Sequence, residues 1–178
     1  MEQSQVLAEG HSAEENTWQS FTDQIAACRK EVDLSGGWTA SCFTMPLASN
    51  SDPFKTIQMA KLQPVSSPDP GFSGIVRYTR TFILDKIPAR SFFRAECVFE
   101  SMRVWVNGKE AGIRMTPPYQ VELTELVQKG ENHIRVDVAN TPGRDQQNYP
   151  SPHFDFQHEA LEPCGMFGKV SICIYKNN

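Results

Sequence analysis

The strongest constraint on this chain is a two-residue alternation that runs straight into a turn with one preferred geometry. Met102, Val104 and Val106 alternate with Arg103, Trp105 and Asn107, and Gly108 follows at once. Successive side chains of an extended strand point to opposite faces, so the pattern describes a strand with one apolar side. Asn-Gly is the preferred pair for a two-residue type I′ turn, because both central residues need positive φ. Residues 102–106 are therefore expected to fold back on Lys109–Ile113 as a hairpin of fixed register.

The same period recurs along the chain. In residues 75–84, Val76, Tyr78, Phe82 and Leu84 lie opposite Arg77, Thr79 and Thr81, while Arg80 intrudes on the apolar side. Phe93, Ala95, Cys97 and Phe99 alternate with Arg94, Glu96 and Glu100. Ile134, Val136 and Val138 share one face of a strand at 133–138, and Val170, Ile172 and Ile174 one face of the last strand, 169–175. Weaker patterns mark strands at Trp38–Phe43, Ile57–Leu62 and Gln120–Leu123. Thr124 to Gly130 reads as a turn or a one-turn helix closing at Gly130, and Gly165 and Gly168 as turn residues before the last strand. Short alternating strands separated by turn signals predict an all-β sandwich over residues 33–178.

Residues 1–32 differ in kind. Ser12 and Glu15 form a capping box, in which each side chain satisfies a free backbone N–H at a helix start. Trp18, Phe21, Ile25 and Cys28 then fall on one helical face. The expectation is an N-terminal tail followed by an amphipathic helix over Ala13–Lys30, packed on the sandwich or on a partner. Seven acids against two bases give residues 1–35 a net of −5, whereas the remainder nets +1. A nearly neutral body has no electrostatic footprint for nucleic acid. No run approaches the roughly 18 apolar residues of a membrane span. The start has neither the basic residues nor the apolar stretch of a secretory signal, so a cytoplasmic location is expected if this is the full reading frame. The five cysteines include no C-x-x-C pair, and are read as reduced, mostly buried thiols.

Six segments, in order, carry a family resemblance. They are Phe72–Phe82, Val104–Gly112, Pro118–Thr124, Gly130–Val136, Val138–Thr141 and Leu161–Val170. Together they resemble the sugar-binding domain of glycoside hydrolase family 2, and are similar to the C-terminal sandwich of rhamnosidase-type glycoside hydrolases. The resemblance implies a jelly-roll β-sandwich of the galactose-binding-domain kind. It implies a non-catalytic carbohydrate-binding or accessory module, with carbohydrate and a glycoside hydrolase catalytic domain as partners. The rhamnosidase-type sandwiches carry a tryptophan where this chain has Pro142, before Arg144.

Sugar recognition uses aromatic faces and planar polar groups. The long connection from Asn140 to Gly168 supplies Arg144, Asp145, Asn148, Tyr149, His153, Phe154, Asp155 and Phe156. Tyr119 and Trp105 are further candidates, Trp105 with the alternative of packing against a helix or the second sheet. No catalytic residue is assigned. Glycoside hydrolysis needs two carboxylates roughly 5–9.5 Å apart, and sequence does not bring any two of Asp145, Asp155, Glu159 and Glu162 together. No cofactor is expected; a structural calcium would take oxygen ligands from Asp145 and Asp155. Two other readings stand beside the accessory module: a sandwich that docks on a catalytic domain without binding sugar, and a small glycosidase in its own right.

Overall fold

The computed structural model describes residues 28–44, 52–65, 72–140 and 163–175. They form ten strands: β1 (Lys30–Asp33), β2 (Trp38–Thr44), β3 (Lys55–Met59), β4 (Gly74–Leu84), β5 (Arg90–Phe99), β6 (Ser101–Val106), β7 (Lys109–Arg114), β8 (Gln120–Glu122), β9 (Gly130–Ala139) and β10 (Gly165–Tyr175). The strands make two sheets, one of four strands in the order β1-β10-β5-β8 and one of six in the order β3-β2-β4-β9-β6-β7. The pairing throughout is antiparallel. Apolar faces of both sheets share one core, in which Trp38, Tyr78, Met102, Val104, Ile134 and Val136 meet Phe93, Val170 and Ile172. This is a β-sandwich, as the alternation predicts.

The hairpin has the expected turn. Asn107 and Gly108 both have positive φ, at 50° and 80°, and Val106 pairs with Lys109. Asn107 does more than turn the chain. Its Nδ2 donates to Leu126 O and to Asn132 Oδ1, both at 2.9 Å, and its Oδ1 accepts the His133 N–H at 2.9 Å. Asn132 is fully buried and returns to the backbone through Gln128 N, Gln128 O and Gly130 O. A buried amide costs little when every polar atom has a partner. This pair of asparagines locks the β6–β7 hairpin to the turn that starts β9.

A second polar tie crosses the core. The Tyr78 hydroxyl is buried and accepts the Met166 N–H at 3.0 Å. Burial pushes its pKa far above the ordinary tyrosine value. Gly165 has φ +99°, and any Cβ there would collide with that hydroxyl. The six-stranded and four-stranded sheets are thereby joined by one side chain.

Several expectations need correction. The last strand begins at Gly165, not Lys169, so Gly165 and Gly168 are strand residues and not a preceding turn. A bulge explains the misreading: Phe167 pairs with Cys97 and Val170 with Ala95, which shifts the apolar period between them. The phase also changes on β5. Phe93, Ala95 and Val98 are buried, whereas Cys97 and Phe99 are only half-buried. Cys28 and Arg29 are not helical and Lys30 opens a strand, so a helix reaching Lys30 is excluded. Arg29 N donates to Ile174 O at 3.1 Å, and Lys30 pairs with Ile174; edge pairing prevails over the helical pattern. The sheet thus starts ahead of the expected boundary at Asp33. The rest of the expected helix, residues 13–27, lies outside the described residues. None of the five cysteines is joined in a disulfide, and Cys42, Cys164 and Cys173 are buried.

Candidate functional site

The outward side chains of the six-stranded sheet are ordered in two lanes by strand register. One lane runs Gln58, Thr39, Thr79, Arg135, Trp105, Glu110, and the next Thr56, Ser41, Arg77, Asp137, Arg103, Ile113. Alternation puts these residues opposite the core, and cross-strand neighbours on such a face interact directly. Thr39 Oγ1 donates to Gln58 Oε1 at 2.9 Å. Arg77 grips Asp137 with both nitrogens, Nε to Oδ1 and Nη2 to Oδ2, each at 2.9 Å. That fork-to-fork pairing raises the Arg77 pKa. Arg103 pairs with Glu110.

Trp105 lies on this face between two arginines. The Arg135 guanidinium carbon is 3.5 Å from its ring centroid and that of Arg103 is 4.9 Å away. Its ring therefore does not enter the inter-sheet core. Arg135 Nε is 3.4 Å from Asp137 Oδ1, beyond good hydrogen-bond distance, and this nitrogen is buried without a hydrogen-bond partner. Desolvation lowers the Arg135 pKa from its ordinary value; Asp137 opposes the shift, and Arg77 and Arg103 add to it.

A cleft of about 420 Å³ opens along the first lane, lined by Thr39, Thr79, Thr81, Trp105, His133 and Arg135 together with Arg80, Gly108 and Ile134. The Thr79 and Thr81 hydroxyls have no hydrogen-bond partner among the described residues. His133 Nε2 is 3.5 Å from Glu131 Oε1. Among the described residues no carboxylate lines the cleft. The arginine that breaks the alternation, Arg80, donates Nε to Thr81 O at 3.1 Å and Nη1 to Gly36 O, with its guanidinium 5.6 Å from the buried Trp38 ring. Hydroxyls, an imidazole, an indole and two guanidiniums around one cleft are groups that hydrogen-bond to polyols and anions.

Of the sequence candidates, Trp105 lines this cleft and Tyr119 does not. Tyr119 is half-buried against the core, and its hydroxyl donates to Glu100 O at 3.1 Å. Glu100 N in turn donates to Ala139 O at 3.1 Å. Tyr119 therefore stands at the end of the sandwich where the chain leaves β9. Asn140 organises that end: its Oδ1 accepts the Gly74 N–H at 2.6 Å and its Nδ2 donates to Phe72 O at 2.7 Å. Arg144, Asp145, Asn148, Tyr149, His153, Phe154, Asp155 and Phe156 lie outside the described residues, including the calcium candidates Asp145 and Asp155. Among the described residues no group of three or more His, Cys, Asp or Glu is placed to hold a metal ion. No helix among them is long and apolar enough to cross a membrane. The cleft was missed because a stretch of sequence does not state its register. Only the pairing of Thr79 with Arg135 and of Arg135 with Trp105 brings these residues together.

No family model matches the chain, and none of the curated proteins matches it. Solved structures do. A rhamnosidase from Novosphingobium sp. PP1Y aligns with a TM-score of 0.64 and 25% identity, over 81% of this chain and 15% of its own. A β-glucuronidase from Faecalibacterium prausnitzii L2-6 aligns at 0.56 and 21% identity, over 82% of this chain and 22% of its own. A β-D-mannosidase from Dictyoglomus thermophilum aligns at 0.57 and 16%, over 83% and 23%. The chain thus spans less than a quarter of the length of each of these enzymes. Over most of its length it is similar to a β-sandwich that forms a minor part of glycoside hydrolase chains.

Proposed function

We propose that this chain is a jelly-roll, galactose-binding-like accessory module of a glycoside hydrolase that binds carbohydrate and carries no catalytic centre of its own. The observation that carries the reading is the likeness of 81% of the chain to 15% of a rhamnosidase. A segment of that size is an accessory part, and the polar cleft gives such a part a surface for sugar. The likeness transfers architecture; the ligand rests on the chemistry of the cleft. Trp105, held by two arginines, the Thr79 and Thr81 hydroxyls and His133 are the residues assigned to contact saccharide.

Isothermal titration against an oligosaccharide panel, at protein concentrations sensitive to millimolar affinity, tests the reading. Binding should be present, and Thr79→Val should weaken it several-fold without altering the melting temperature. Absence of binding to every sugar would remove the carbohydrate part. Binding unaffected by changes in the cleft but lost in Tyr149→Ala would move the site to the connection after Asn140. A second reading, docking on a catalytic domain without sugar contact, has its own observation. Ile113 on the edge strand β7 and Met115 just after it are 48% and 75% exposed. It predicts that Met115→Glu abolishes association with a separately expressed catalytic domain.

A further inference from the structure

Two guanidiniums line the cleft: Arg80 is held by the Thr81 and Gly36 carbonyls, and Arg135 has no anion to itself. Arg77 and Arg103 stand beside Arg135, and the acids that face these three are Asp137 and Glu110. Asp137 gives both oxygens to Arg77 at 2.9 Å, and Glu110 is taken by Arg103. Glu131 is turned to His133. Arg135 is left with a 3.4 Å contact to an oxygen already in use, and its nitrogens have no hydrogen bond among the described residues. It is also fixed in place, because its guanidinium lies on the Trp105 ring at 3.5 Å. A guanidinium stacked on an indole keeps its planar fork while losing little further freedom on binding. Partial burial penalises its charge, and a bound anion would relieve that penalty.

Resting on the carbohydrate-binding reading, we propose that the cleft is specific for saccharides bearing an anionic oxygen group, a carboxylate or a sulfate ester, with Arg135 as the residue that receives it. Two parallel N–H···O bonds from Arg135 hold the anion. The free hydroxyls of Thr79 and Thr81 take the ring hydroxyls. With no acid among the described cleft residues, the same surface offers no counter-charge to cationic sugars.

The test is titration calorimetry of the whole chain with three matched oligosaccharides: one carrying a uronate, one carrying a sulfate ester, and a neutral one. At least one anionic arm is expected to bind ten-fold or more tightly than the neutral arm, with an advantage that shrinks as salt is raised. Arg135→Gln should erase that advantage, so that the anionic and neutral arms bind the variant with equal affinity, while Arg135→Lys should keep part of it. Equal affinity for all three arms overturns the proposal and leaves carbohydrate binding standing, as does an anionic advantage that survives in Arg135→Gln. No binding in any arm overturns both. The wild-type comparison decides the matter even if a variant folds poorly.

Discussion

At the scale of single residues, the sandwich depends on a few side chains whose polar atoms are fully spoken for. Tyr78→Phe removes the acceptor of the buried Met166 N–H, which should cost about 1–3 kcal/mol for an orphaned donor. The Gly165 site should couple to it. Gly165→Ala places a methyl against the Tyr78 hydroxyl, and its cost should be smaller in a Tyr78→Phe background than in the native chain. Urea denaturation of the single and double variants measures both; strictly additive losses would mean that the two residues do not meet. Charge gives a further handle. The Lys169 ammonium, at 2.5 Å, and the Ser171 hydroxyl hold the Glu31 carboxyl below its ordinary pKa. Hydrogen bonds from Ser35 do the same for Asp33. A carboxylate with a depressed folded pKa contributes stability above its unfolded pKa, and loses it as pH falls through the folded value. The urea midpoint should therefore be flat above about pH 5 and fall below about pH 4. Both groups are solvent-exposed, so the fall attributable to them is modest; Glu31→Gln should flatten part of it.

Elements show how much sequence says about a sheet and where it falls silent. Strands β4, β6 and β9 were legible because each has one core face and one polar face, interrupted on β4 at Arg80. The β6–β7 turn was legible because few pairs other than Asn-Gly tolerate two positive φ values. The bulge on β10 was not, since an extra residue inverts the period without any residue type that announces it. The helical stripe that ends in Cys28 misled at its C-terminus, because strand pairing of residues 30–33 with β10 is a long-range effect. The double role of Asn107 was likewise hidden, as its partners Leu126, Asn132 and His133 are remote in sequence. Its importance can be measured. Asn107→Gly keeps the turn but removes three side-chain hydrogen bonds, and should cost about 1–3 kcal/mol for their sum, with Asn132 Oδ1 still held by the Gln128 N–H. Gly108→Ala meets no neighbour, and should cost about 1 kcal/mol through its backbone alone. An Asn107→Gly loss no larger than that of Gly108→Ala would show that the network contributes nothing.

For the whole molecule, the connection after Asn140 drew the sequence reading because aromatic and polar residues cluster there along the chain. The cleft instead gathers residues from β2, β4, β6 and β9, of which Trp105 stands out in its own segment and Thr39, Thr79 and Arg135 do not. A likeness to several glycoside hydrolases fixes the architecture, and the proposed function assigns recognition to the outer face of the six-stranded sheet. The most direct test of that placement is a ¹⁵N-detected titration of the chain with binding oligosaccharides. Amide and indole shifts should move at Thr79, Thr81, Trp105, His133 and Arg135, with little change at Tyr119 or on the outer face of the four-stranded sheet. Shifts confined to the Tyr119–Asn140 end, or no shifts with any saccharide, would contradict it.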